Sequence, residues 1–175
     1  MKTKSILAKA KKIKLLMLDV DGVLTDGRII YDSSGRDLKL FDVQDGLGVY
    51  LLSLMGIKTV LVTAKGSSVI TPRAKSMRVA AVYKDIFPKT KVLESVKKRF
   101  RVSVDAICFV GDDLVDYSIM KKCGLSIAVS NACKEIKQIA HFTTKKAGGR
   151  GAVREVVEIL LKAQGLWKKA LSLYE

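Results

Sequence analysis

The sequence is poor in proline, cysteine, histidine and aromatic residues, and short of acids relative to bases. Two prolines and no stretch rich in serine, glycine and proline leave nothing that reads as a linker. No repeat or low-complexity segment is present. No apolar run approaches the roughly 18 residues that a membrane span requires. The lysine-rich start, residues 1–14, leads into an apolar patch that Asp19 and Asp21 interrupt, with no small-residue cleavage site, which argues against a signal peptide. Three cysteines, Cys108, Cys123 and Cys133, are an odd number without metal spacing and read as reduced core residues of a cytoplasmic protein. The one histidine, His141, has no partner pattern and reads as structural; Trp167 reads as a packing contact of the tail.

The acid deficit gives a formal net charge of +15. The bases are scattered and little interleaved with aromatics, so the balance reads as a solvated, lysine-biased surface rather than a nucleic-acid interface. It also suits a small anionic substrate. At 175 residues and 49% hydrophobic content, the chain is sized for one domain with a proper core. We read that domain as 1–175: a core at about 14–163, a basic N-terminal segment 1–13 and a tail 164–175.

Continuous apolar runs at 14–19, 57–63, 106–110 and 125–129, with a shorter one at 79–83, read as strands buried on both faces. Helical periodicity is predicted for 3–12, 44–55, 67–76, 88–100, 114–122 and 151–163. Residues 28–32 and 36–42 flank Ser33-Ser34-Gly35 and predict a β-hairpin. Strands alternating with helices predict an α/β fold, a single doubly wound, Rossmann-like parallel sheet with the hairpin as an insertion. In such sheets the site lies beyond the carboxyl ends of the strands. The first strand ends in Asp19 and Asp21, the second in Thr63, and the strand at 106–110 leads into Gly111-Asp112-Asp113.

Clustered carboxylates repel unless a cation neutralises them, and an all-oxygen ligand set suits Mg²⁺. An acid pair one residue apart at a strand end can divide its work. One carboxylate faces the ion while the other reaches past the substrate, its backbone carbonyl still ligating, an arrangement that suits nucleophile plus general acid. Taken singly, each residue has a plainer reading. A strand-terminal Asp is ordinarily a turn or cap residue, Thr63 a β-branched strand end, and Lys89 a solvated helix residue. Their order along successive strand ends is what points to a site.

The segment Asp19-Val20-Asp21-Gly22-Val23-Leu24-Thr25-Asp26-Gly27 resembles motif I of the haloacid dehalogenase-like phosphatases. Thr63 falls at motif II, and Gly111-Asp112-Asp113-Leu114-Val115-Asp116 resembles motif IV. Within that superfamily the chain is similar to the small capless subgroup that hydrolyses 3-deoxy-D-manno-octulosonate 8-phosphate (KDO 8-phosphate). That likeness includes Phe41-Asp42-Val43-Gln44-Asp45-Gly46, Ala147-Gly148-Gly149-Arg150-Gly151-Ala152-Val153-Arg154-Glu155 and Ala163-Gln164-Gly165. The motif III lysine falls on Lys89 or Lys91; family spacing from Tyr83, and the placing of Phe100 on the helix's inner face, favour Lys89.

The resemblance implies Asp19 as nucleophile, Asp21 as general acid and base, Thr63 and Lys89 as phosphate ligands, and Mg²⁺ held by Asp19, the Asp21 carbonyl and Asp112. Asp113 and Asp116 would support the ion's ligands, though Asp116 also fits a helix start. Implied substrate contacts are Asp42, Val43, Gln44, Asp45, Gly46, Lys65, Arg73, Lys89 and Arg150. The family's Thr-Gly-Arg is here Thr63-Ala64-Lys65, and Gln44 stands where an arginine is common. Lysine lacks arginine's planar fork, so a nine-carbon sugar acid 9-phosphate is the alternative substrate to KDO 8-phosphate. Neither interval between motifs can hold a cap domain, and the family's hairpin builds a homotetramer. Rival readings are a phosphoacceptor signalling domain, whose paired acids follow the first strand and whose phosphorylated Asp sits on a later one, unlike the Asp-x-Asp on strand one and the late Gly-Asp-Asp here, and a basic nucleic-acid-binding module.

Overall fold

In the computed structural model, which describes residues 2–175, the chain runs through α1 (Lys2–Ala10), β1 (Leu15–Leu18), β2 (Ile30–Tyr31), β3 (Asp37–Leu38), α2 (Val43–Leu54), β4 (Lys58–Val62), α3 (Ile70–Ser76) and β5 (Ala81–Tyr83). A 3-10 turn (Lys89–Val92) then leads into α4 (Leu93–Phe100), β6 (Ile107–Gly111), α5 (Tyr117–Met120), β7 (Leu125–Ala128), α6 (Lys134–Ile139), β8 (Phe142–Thr143), α7 (Ala152–Ala163) and α8 (Trp167–Leu171). The six-stranded sheet has the order β5-β4-β1-β6-β7-β8, and every neighbouring pair is parallel. All four residues of β1 are buried, because helices cover both faces of the sheet.

The chain moves from β1 outward to β4 and β5, then crosses to β6 and moves outward the other way. Right-handed crossovers therefore put α2 and α3 on one face and α4, α5 and α6 on the other. The packing agrees: α2 lies along α7, α7 along α1, and α5 against β6 and α6. The reversal of direction falls beside β1, so the crevice between strand ends opens where Asp19 and Asp21 emerge. Among the described residues no helix is long and apolar enough to cross a membrane.

The elements depart from the sequence reading in definite ways. The hairpin strands shrink to two residues each, a separate two-stranded sheet whose residues are mostly exposed. Its turn is set by Asp32, whose Oδ1 accepts from the amides of Ser34 (2.8 Å) and Arg36 (2.9 Å). The helix predicted over 88–100 starts as a 3-10 turn, and the one over 114–122 is a 3-10 turn, Leu114–Asp116, followed by the single turn of α5. Elements α6 and β8 lie where no element was predicted; both are too short to leave a periodic signature. Burial also extends past 14–163 at both ends, through Ala10, Ile13 and Ala170. Gln164 ties the two ends together, its Nε2 donating to the carbonyls of Ala10 (3.0 Å) and Ile13 (2.9 Å). His141 is structural in position: its Nδ1 lies 2.7 Å from Ser126 Oγ and accepts from the Ser126 amide. Trp167 packs on the core, with Lys162 and Arg154 over its ring.

The α2–α7 contact is fixed by one buried acid. Asp45 lies wholly inside, and its carboxylate accepts from the amides of Arg154 (2.7 Å) and Gly151 (3.2 Å) at the start of α7, a helix with no side-chain cap of its own. Burial, with Asp42 adding, pushes this carboxyl up to about 6. Asp45→Ala strands those amides and is expected to cost about 2 kcal/mol, lowering the thermal midpoint by about 4–8 °C for a chain of this size. An unchanged midpoint by circular dichroism would contradict this anchoring role.

Candidate active site

Past β1 the chain turns sharply. The amides of Leu24 and Thr25 donate to the Val20 carbonyl, and Thr25 Oγ1 accepts from the amides of Gly22 and Gly27 at 3.2 Å each. Gly22 sits at φ +83°, and a Cβ there would overlap the Asp112 carboxylate at the end of the adjacent β6. Gly148 is pressed as closely from below, since a Cβ on it would run into the Gly22 carbonyl. Asn131 joins these segments: its Nδ2 donates to Gly22 O (3.1 Å), and its Oδ1 accepts from the Gly148 amide (2.7 Å). The C-terminal glycine turn is thereby part of the wall behind the acid pair.

Lys89 opens the 3-10 turn and is fully buried, whereas Lys91 is exposed. The Lys89 Nζ lies 2.6 Å from Asp19 Oδ1 and 2.6 Å from Asp116 Oδ1. Asp116 spends its other oxygen on the Asp112 amide (3.0 Å), so its carboxylate points inward rather than along the following helix. Thr63 is buried at the end of β4, its hydroxyl donating to the Lys65 carbonyl (2.9 Å). Asp113 is exposed and caps the turn at Leu114 (2.8 Å). Asp19, Asp21, Thr63, Lys65, Lys89 and Asp112 share a cavity of about 210 Å³, with Asp113 at its margin.

Three carboxylates, Asp19, Asp112 and Asp116, bring one oxygen each within 4.8 Å of one another, and Asp21 is not among them. Against them stands one ammonium. Burial would push Lys89 down, but Asp19 and Asp116 reverse this and hold it charged. Burial raises Asp19 despite the Lys89 pair. It pushes Asp112 up to about 8 and Asp116 to about 7, the neighbouring carboxylates adding to both. Asp112 Oδ1 is buried without a hydrogen-bond partner. An orphaned carboxylate oxygen in an acid cluster of hard oxygens is what a small divalent cation would satisfy, so these residues fit Mg²⁺.

The predicted substrate residues divide. Asp42, Val43, Gln44 and Arg150 line a neighbouring cavity of about 450 Å³, with Phe41 and Asp26. Val43 is 81% exposed. Asp42 caps α2, its Oδ1 accepting from Gln44 (2.6 Å) and Asp45 (3.1 Å) amides. Arg150 Nη2 is 3.9 Å from Asp26. Arg73 donates to the Asp42 carbonyl (2.7 Å) and stacks over Phe41, its Nε buried and unpartnered. Lys65 Nζ donates to the Tyr31 hydroxyl (3.0 Å). Three of the predicted contacts, Arg73, Asp45 and Gly46, line neither cavity. Asp45 is committed to α7, and Gly46 is buried beneath the Arg73 guanidinium. Two contributors to the geometry were not predicted: Asn131, and Lys39, whose Nζ meets Asp21 Oδ1 at 2.5 Å. Neither sits in a local pattern that could have marked it.

A parallel sheet gathering acids around a buried lysine, at the carboxyl ends of its central strands, defines a hydrolase of the haloacid dehalogenase-like class. A family model described as haloacid dehalogenase-like hydrolase matches residues 56–156. The 3-deoxy-D-manno-octulosonate 8-phosphate phosphatase KdsC of Escherichia coli (strain K12) is 38% identical over 160 residues, spanning 91% of this chain and 85% of that one. The crystal structure of the Moraxella catarrhalis 3-deoxy-D-manno-octulosonate 8-phosphate phosphatase, in complex with magnesium ion, phosphate ion and KDO, matches with a TM-score of 0.95 at 37% identity, covering 98% of this chain and 99% of that one. The cobalt-bound form of the Haemophilus influenzae enzyme matches with a TM-score of 0.86 at 32% identity, covering 90% and 92%. The chain belongs to the 3-deoxy-D-manno-octulosonate 8-phosphate phosphatase family.

The raised carboxyls carry a sign. The folded chain keeps protons that the unfolded chain has released, so metal-free stability falls as pH rises toward about 8. Mg²⁺ competes with those protons. The thermal midpoint in EDTA is expected to drop between pH 6 and about 8, and the increment from Mg²⁺ to grow over that interval. Equal increments across it, by scanning fluorimetry, would count against this cluster as the metal site.

Proposed function

We propose that the enzyme hydrolyses KDO 8-phosphate to KDO and phosphate through an aspartyl-phosphate on Asp19. The buried Lys89 ammonium between Asp19 and Asp116, beside the orphaned Asp112 Oδ1, carries this reading. Asp19, the Asp21 backbone carbonyl and Asp112 would hold Mg²⁺, which would supply the positive charge that lets an anionic nucleophile meet an anionic phosphate.

An Asp19 oxygen attacks phosphorus, the bond from phosphorus to the sugar oxygen breaks, and Asp21 gives that oxygen its proton. Asp21 then takes a proton from water as the water attacks phosphorus, and the Asp19–phosphorus bond breaks to free phosphate. Thr63 and Lys89 bind the equatorial oxygens, where charge concentrates in the transition state. Asp113 and Asp116 fix the surroundings of the ion, Asp116 by holding Lys89 and the Asp112 amide.

Lys65 and Arg73 are the cations proposed for the sugar carboxylate, with Asp42, Val43, Gln44 and Arg150 around the rest of the substrate; Asp45 and Gly46 act through α7 and Arg73. The nine-carbon sugar acid 9-phosphate stands as the alternative because Lys65, a single ammonium engaged with Tyr31, takes the place of the family's arginine.

A homotetramer is proposed because the hairpin exposes Ile29, Ile30, Tyr31, Leu38 and Leu40, the last by 69%, and has free strand edges. The free thiols of Cys108, Cys123 and Cys133 support a cytoplasmic enzyme.

Asp19→Asn is expected to lower turnover by about 1,000-fold or more while the fold stands; near-normal activity would remove the nucleophile. In a panel of sugar phosphates compared by kcat/KM, KDO 8-phosphate is expected to lead, and a lead for the nine-carbon homologue would select the alternative. Light scattering at micromolar concentration is expected to give a tetramer; a monomer there would exclude the hairpin assembly.

A further inference from the structure

One nearly buried cation beside the site has no part in the chemistry above. Lys39 follows β3, and its side chain is 5% exposed. Its Nζ lies 2.5 Å from Asp21 Oδ1 and 3.6 Å from Asp37 Oδ2. Lys39 is not among the residues that line the 210 Å³ cavity, whereas Asp21 is. The ammonium thus meets Asp21 without itself lining that cavity. Ser67, ahead of Lys39, holds the Asp37 carboxyl below the usual range. Lys39 thus bridges a carboxylate of the hairpin and the second acid of the pair.

Immobilising a lysine side chain and desolvating its ammonium are both unfavourable, so the contact must gain from the carboxylates it meets. Asp21 is half-buried at the head of a buried turn, and its carboxyl would otherwise sample several rotamers. With Oδ1 engaged, Oδ2 remains for the reacting atoms. As Oδ2 gives its proton to the leaving oxygen, Asp21 becomes a carboxylate, and an ammonium at Oδ1 stabilises the charge that develops.

We propose that Lys39 is a positioning residue for proton transfer: it holds Asp21 Oδ1, leaves Oδ2 to the leaving oxygen and stabilises the carboxylate that forms. The proposal rests on the phosphatase reading with Asp21 as the acid. The balance is that of the first half-reaction: the Asp19–phosphorus bond forms, the ester bond breaks, and one proton passes from Asp21 to the departing oxygen. A leaving group that is stable as an anion needs no such proton, which gives the role its own signature.

The test compares wild type and Lys39→Met, both with Mg²⁺, on p-nitrophenyl, phenyl and p-methoxyphenyl phosphate by kcat/KM, which reports the steps through loss of the phenol. The loss is expected to grow with leaving-group basicity, from about 3-fold on p-nitrophenyl phosphate to about 100-fold on p-methoxyphenyl phosphate. None of these esters carries a carboxylate, so a weakened grip on a sugar acid cannot produce that trend. Lys39→Arg, which keeps a cationic donor, is expected to restore the shallow wild-type dependence. An equal loss across the series would overturn the proposal, leaving Lys39 as a prop for the hairpin. Should Lys39→Met not fold, Asp37→Asn removes the second anchor instead; the same trend at smaller amplitude is expected, and a flat response overturns it. A wild-type enzyme that turned over none of the esters would sink the phosphatase reading itself, whereas parallel losses in an active enzyme would remove only the role of Lys39.

Discussion

The arrangement around which the rest is built is three carboxylates and one ammonium brought out of water at the end of a parallel strand. Lys89 is fully buried, with Asp19 and Asp116 at 2.6 Å on either side. A buried ion pair is a weak source of stability, but an unpaired buried charge is expensive. Each member therefore constrains the others. Asp116 turns inward, the segment after β6 begins as a 3-10 turn rather than a regular helix, and the Asp112 amide is captured by the same carboxylate. The adjacency of β1 and β6 in the sheet is what places Asp19 and Asp112 side by side. Topology supplies the position, and electrostatics supplies the demand for a cation.

That demand reaches well beyond the strand ends. Gly22 has no room for a side chain because Asp112 stands over it, and Gly148 has none because Gly22 lies against it. Asn131 bonds to both. A turn more than a hundred residues downstream thus braces the loop that carries Asp21, and Asp45 fixes the start of the helix that follows that turn. These are close contacts and hydrogen bonds on backbone atoms, which tolerate little displacement. The acid pair is held by packing from below as much as by charge from above.

The sheet was readable because its strands are continuous apolar runs, and strand ends then locate the acids without knowledge of any contact. Periodicity alone left Lys89 and Lys91 open, since either can start the same helix; burial separates them in the fold. What could not be read depends on the third dimension. Asp45 has the residue type of a ligand, but it faces amides more than a hundred positions away. Lys39 meets Asp21 through the docking of a hairpin whose own sequence says only that it turns. The elements α6 and β8 are made by their neighbours, being too short to persist alone.

An acid cluster is a poor place to attract an anion, and the surrounding charge answers that difficulty. Lys65 borders the cavity, Arg73 and Arg150 stand near Asp42 and Asp26, and the chain as a whole carries +15. Beyond about 8 Å, physiological salt screens most of that charge. At that range only cations close to the cavity can orient a bound anion strongly, while distant ones can act on its approach. Among the described residues only the hairpin, α2 and β4 lie between Asp21 and Thr63, and only α3 and β5 between Thr63 and Lys89. The apolar surface of β2 and β3 and the cation Lys39 belong to the same segment, so whatever settles the hairpin also settles the acid that Lys39 touches.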